Sequence, residues 1–138
     1  MSDFIRNFKW STRVYYEDTD ASGLVFYANY LKFMERARTE WLRSQGLSQL
    51  SLMKSPGIIF VVSNVTIEYF SPALFDDLLV INTRIRQLKG ASLKFDQQIN
   101  SDARGNLLCE GVIKVVCVDS ISLKPKKIPK NVRDKILK

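Results

Sequence analysis

Tyr15-Tyr16-Glu17-Asp18-Thr19-Asp20-Ala21-Ser22-Gly23-Leu24-Val25-Phe26-Tyr27-Ala28-Asn29-Tyr30 is the stretch in which the chain turns from strand to helix. Upstream of it, residues 11–16 are rich in β-formers and predict a first strand. The polar run from Glu17 to Gly23 predicts a loop. From Asn29 to about residue 45, Tyr30, Leu31, Met34, Ala37, Trp41 and Leu42 follow the 3.6-residue period of one long helix. Gly46 stands where a helix C-terminus calls for a left-handed residue, and residues 48–54 predict a short second helix stopped by Pro56-Gly57.

Beyond Pro56 the period becomes two. Residues 60–70, 78–88, 92–100 and 107–118 predict four strands, broken at Ser71-Pro72, Lys89-Gly90 and Asp102-Ala103-Arg104-Gly105. Connections this short favour antiparallel neighbours, because parallel pairing needs a crossover of about a dozen residues or more. The outline is an α+β domain: a strand, a long helix, then a four-stranded antiparallel meander. A five-stranded sheet with one main helix leaves strand edges open, and pairing with a second subunit protects such edges. A homodimer or homotetramer is therefore expected.

Bulk properties narrow the chemistry. The 138 residues suit one domain running from 1 to 138, and 46% apolar with 25% charged residues is the balance of a folded soluble protein. No apolar run approaches the ~20 residues of a membrane span, and the start, MSDFIRNFKW, shows no secretory leader. A cytoplasmic location is the expectation. Cys109 and Cys117 predict reduced core thiols rather than a disulfide framework or zinc site. The chain has no histidine. Ser-His-Asp and Cys-His nucleophile systems, and dehydratases with a His base, are thereby excluded. Carboxylates, Lys, Tyr or Cys must carry any acid–base step.

The net charge of +7 is concentrated at one end. From Lys124 to Lys138 there are seven Lys or Arg against one Asp, a net of +6; the remainder holds 14 basic against 13 acidic residues, a net of +1. This basic C-terminal tail, from about 124, is expected to be solvated. A phosphate-bearing ligand, an acidic carrier protein and an anionic membrane surface are its other candidate partners. No nucleic-acid motif accompanies the charge.

Three carboxylates within four residues, directly before a helix, can simply cap it. They can also form an acyl-transfer site, in which a carboxylate works beside the free N–H groups of the helix start. The quoted stretch resembles the signature of the 4-hydroxybenzoyl-CoA thioesterase family, and most closely its YbgC branch, encoded beside the Tol-Pal envelope system. Glu35-Arg36-Ala37-Arg38-Thr39-Glu40, residues 65–77 (VTIEYFSPALFDD) and Val116-Cys117-Val118-Asp119 extend the resemblance from Phe8 to Pro129.

The resemblance implies a hotdog fold, a five-stranded antiparallel sheet wrapped around one long helix, with dimers forming one continuous sheet. It implies acyl-CoA thioester hydrolysis without a cofactor, with CoA or carrier-protein thioesters as substrates. The family's catalytic aspartate falls on Asp20 and its backbone oxyanion donor on Tyr27, where this branch often has His. Gly23, Val25 and Phe26 fall on its substrate-contacting loop. Ser92 falls near the pocket, and Lys89 is what remains of a basic cluster facing the CoA phosphates. Asp20 is expected either to attack the thioester or to act as general base on water. Glu68 and Tyr69 are expected at a dimer interface, and Trp10 and Trp41 as packing anchors. The competing reading is a non-catalytic hotdog module docking to a carrier protein or to envelope or lipid-synthesis partners.

Overall fold

A computed structural model describes residues 7–137. Residues 1–6, which carry most of the leader reading, and Lys138 lie outside the described residues. The chain runs β1 (Phe8–Arg13), α1 (Asn29–Ser44), α2 (Gln49–Lys54), β2 (Ile58–Tyr69), β3 (Leu78–Leu88), β4 (Ser92–Ser101), β5 (Leu107–Asp119) and α3 (Lys130–Ile136). The strands form one antiparallel sheet in the order β1-β3-β4-β5-β2. The expected α+β architecture of five antiparallel strands around one long helix is what the molecule has.

Alternation along β3, β4 and β5 sends Ile81, Ile85, Phe95, Ile99, Ile113 and Val115 to one buried face. Against it α1 lays Tyr30, Phe33, Met34, Ala37 and Trp41, each no more than 4% exposed. Trp41 meets Phe95 edge-on with ring centroids 5.3 Å apart, the aromatic geometry that favours the quadrupole. Of the predicted helix positions, Leu31 is 38% exposed, and Phe33 takes its place in the core. Gly111 shows how tightly the helix sits. A Cβ there would lie 3.2 Å from the Thr66 carbonyl and 3.4 Å from Met34 Cε, so any side chain at 111 would have to push the β2 backbone or Met34 aside by a few tenths of an ångström.

A buried polar network ties helix to sheet. Gln97 is fully buried; its Nε2 donates to the Met34 carbonyl and to Thr83 Oγ1, each at 2.9 Å, while its Oε1 accepts from Arg38 at 2.9 Å. Every polar atom of the Gln97 side chain is thus partnered, as burial demands.

Two expectations need correction. The first strand starts and ends earlier than residues 11–16, because the Asp18 carboxylate accepts the Tyr15 N–H at 2.9 Å and pulls Tyr16–Asp18 into a 3-10 turn. The basic tail is not a solvated segment. Ile128, Val132 and Ile136 are at most 2% exposed and belong to the core. The Ile128 N–H donates to the Gly90 carbonyl at 2.8 Å, and Arg133 donates to the carbonyls of Lys89 and Gly90. The lysines of this segment face outward while its apolar side chains close one end of the sheet. Among the described residues no helix is long and apolar enough to cross a membrane.

Candidate active site

The loop before α1 is built around Asp18. Its side chain fixes Tyr15, and its carbonyl accepts from the Phe26 N–H at 3.0 Å and from Asn29 Nδ2 at 2.8 Å. The chain between these points is pinched into a tight turn: Asp20 N–H donates to the Leu24 carbonyl at 2.8 Å and Gly23 N–H to the Asp20 carbonyl at 3.1 Å. Gly23, at φ 81°, adopts the left-handed backbone that the turn requires. Val25 is buried at 6% exposure, and its N–H donates to the Ala73 carbonyl at 3.0 Å, fastening the loop to the sheet connection.

Asp20 stands exposed at the tip. Its Oδ1 accepts from the Ser22 N–H at 2.9 Å and from the Ser22 hydroxyl at 2.5 Å. These bonds, the hydroxyl first, hold its carboxyl below the ordinary aspartate range. Asp20 is therefore an ionised, oriented carboxylate at neutral pH. It does not cap the helix, and neither does any other acidic side chain: α1 opens on Ala28 with no side-chain cap. Among the described residues nothing accepts the backbone N–H of Tyr27. A free donor at a helix start carries partial positive charge, and the loop that presents it also presents Asp20.

Aromatic rings gather around that donor. Tyr27 is 64% and Phe26 47% exposed, with centroids 4.8 Å apart. Tyr69 donates its hydroxyl to the Tyr27 carbonyl at 3.1 Å and packs edge-on to Tyr30 at 5.4 Å. The Tyr30 hydroxyl accepts the Ala73 N–H at 2.9 Å. Burial pushes the Tyr30 and Tyr69 hydroxyls up from their ordinary value, so both stay neutral. Tyr69 thus holds the Tyr27 peptide as well as lying on the exposed part of β2. Sequence reasoning did not single out Ser22 as the partner of Asp20, although the Asp-x-Ser spacing is an Asx-turn signature. The Tyr69–Tyr27 contact bridges 42 positions and left no local signal.

Lys89 and Ser92 lie elsewhere, in the β3–β4 turn, where the Lys89 N–H donates to the Ser92 carbonyl at 2.9 Å. No hydrogen bond among the described residues joins this turn to the Asp20 loop. A cleft of about 110 Å³, lined by Arg38, Trp41, Phe60, Val62, Phe95 and Val115, opens between α1 and the β2 side of the sheet. Burial brings the Arg38 guanidinium down to about 10. Among the described residues no three His, Cys, Asp or Glu side chains gather as a metal site.

A family model described as the thioesterase-like superfamily matches residues 14–136. The chain belongs to that superfamily. Within it, this thioesterase-like chain is 49% identical over 125 residues to the acyl-CoA thioester hydrolase YbgC of Escherichia coli O6:H1, covering 91% of this chain and 92% of the relative. It is 42% identical over 126 residues to the acyl-CoA thioesterase YbgC of Haemophilus influenzae, covering 91% of each. Among solved structures, the 1,4-dihydroxy-2-naphthoyl-CoA thioesterase Slr0204 from Synechocystis superposes with a TM-score of 0.87 at 25% identity, covering 95% of this chain and 96% of that one. The sheet that wraps α1 is the hotdog fold of this superfamily.

Proposed function

We propose that this protein hydrolyses an acyl-CoA thioester to the free acid and CoA, with Asp20 as the working carboxylate and the Tyr27 backbone N–H as the oxyanion donor. One observation carries the reading: an ionised, exposed carboxylate and an unpaired helix-start N–H sit on the same loop. A scaffold has no need of either. In the general-base route Asp20 takes a proton from water as the water oxygen attacks the thioester carbonyl carbon. The resulting oxyanion accepts from the Tyr27 N–H. Collapse breaks the C–S bond, and CoA leaves as thiol with the proton Asp20 had taken. In the nucleophilic route Asp20 displaces CoA directly, and water then cleaves the mixed anhydride. Both use a thioester that is already activated, so a weak base beside a good oxyanion donor is sufficient.

The test is thiol release from a panel of short, long and aromatic acyl-CoAs and an acyl carrier protein thioester. We expect turnover that saturates on at least one acyl-CoA. Absence of turnover across the panel, with tight retention of a carrier protein, favours the docking-module reading instead. A cytoplasmic enzyme linked to Tol-Pal, forming one hotdog unit through α3, completes this reading.

The working unit in this proposal is a homodimer formed along β2. That strand pairs with β5 on one side only, and its Val61, Val62 and Val65 are 39%, 50% and 38% exposed. An apolar unpaired edge is an aggregation hazard unless a second copy covers it. Sedimentation at micromolar concentration should give a dimer or a tetramer, and a stable, active monomer would overturn the assembly.

A further inference from the structure

The connection between β5 and α3 exposes apolar surface where burial is the rule. Ile121 is 91% exposed, the highest value for any large apolar side chain among the described residues, and Leu123 is 60% exposed. A scattered exposed apolar residue needs no explanation. Two on one rigid turn do. Asp119 Oδ2 accepts from the N–H groups of Ile121 and Ser122 at 3.0 and 2.9 Å. Leu123 N–H donates to the Asp119 carbonyl and Asp119 N–H to the Lys124 carbonyl, both at 2.9 Å, and Ser120 N–H donates to Gly57 at 2.9 Å. Leu123 is held at φ 62°, a left-handed conformation comfortable for Gly or Asn and not for Leu. The chain therefore keeps an apolar side chain where both solvation and backbone preference oppose it, the kind of cost that persists where it is used.

The charge around this turn is one-sided. Lys124, Lys126, Lys127 and Lys130 follow within a few residues, and Asp119 and Asp134 are the carboxylates from 119 onward. Asp119 pairs with Lys126 and Asp134 with Lys130, each at 3.7 Å, which leaves the basic excess facing outward. We propose that this turn docks the protein reversibly on an anionic phospholipid bilayer, with Ile121 and Leu123 entering the interfacial layer and Lys124 and Lys127 lying on the headgroup phosphates. An apolar wedge and a basic rim are the two signals that reversible surface binding combines. A protruding wedge of two side chains suits a deformable surface better than a folded protein partner, whose stable interfaces bury about 1,000 Å² or more.

Full-length protein is to be floated with vesicles of phosphatidylglycerol and phosphatidylethanolamine, and separately with phosphatidylcholine vesicles. Binding is expected to the anionic vesicles alone and to weaken as salt rises. Ile121→Ser with Leu123→Asn should weaken it about tenfold or more, from the apolar transfer lost. Asn suits the backbone at 123, so melting temperature and acyl-CoA turnover in solution should be retained. Lys124→Gln with Lys127→Gln should remove most of the salt dependence. Equal binding to both vesicle types, or an apolar double variant that binds like the parent, overturns the proposal. So does a double variant that changes oligomeric state, which makes the turn a contact between copies. Selective loss of carrier-protein affinity with vesicle binding intact would make it a protein dock, and overturns the proposal too.

Discussion

Asp20→Asn is expected to lower kcat by about 10² or more, the scale of general-base work, with little change in KM. The substitution keeps the size of the side chain and an oxygen that can accept from Ser22, so the Asp20–Gly23 turn has no reason to open. What disappears is the negative charge, and with it both the base and the nucleophile. An interaction made in the transition state appears in kcat rather than in substrate binding. Initial rates of thiol release with matched thermal melts measure this. The pH profile follows from the same geometry. Ser22 holds the Asp20 carboxyl below its ordinary value, and the charged form is the active one. Turnover should therefore show no limb from Asp20 between about pH 5 and 8, and fall only as pH drops through the depressed value. Asp18→Asn provides the contrast. Asp18 is buried and fastens Tyr15, so its loss should appear in the melt first. If Asp18→Asn abolishes turnover in a folded protein while Asp20→Asn retains it, the roles are reversed.

Removal of the chain from Lys124 onward is expected to leave a protein that does not fold stably. The segment buries Ile128, Val132 and Ile136 almost completely, and each such side chain is worth about 1.5–3 kcal/mol. Three together approach the whole stability of a typical domain, about 5–15 kcal/mol. The milder Ile136→Ala should remain folded and cost about 2–5 kcal/mol. At this chain length that lowers Tm by roughly 3–5 °C per kcal/mol. A truncated protein with the parent's melting curve would show that α3 contributes nothing to the core.

The sheet was legible because strands β3 to β5 alternate cleanly, and each break carries Gly, Pro or a polar cluster. The C-terminal helix was obscured by composition. Its lysines suggest solvent, yet Val132 and Ile136 stand four residues apart on one helix face, with Ile128 buried just ahead of them. Charge content dominated a pattern that was there to be seen. At the site, the resemblance could point to Asp20 and Tyr27 as the proposed positions, because a loop and the helix after it are local in sequence. It could not show that the acidic residues leave α1 uncapped, nor that Tyr69 reaches the Tyr27 carbonyl from β2. Those are facts of the tertiary fold.

The two thiols affect how the enzyme can be assayed. Cys109 and Cys117 show no accessible surface, and burial pushes the Cys109 thiol up to about 12 and raises Cys117 as well. The nucleophilic form of a thiol is the thiolate, so near neutral pH neither side chain offers an electrophile anything to react with. An aromatic disulfide reagent added during catalysis will report liberated CoA with no background from the folded protein. Colour that develops without substrate becomes a direct count of unfolded chains.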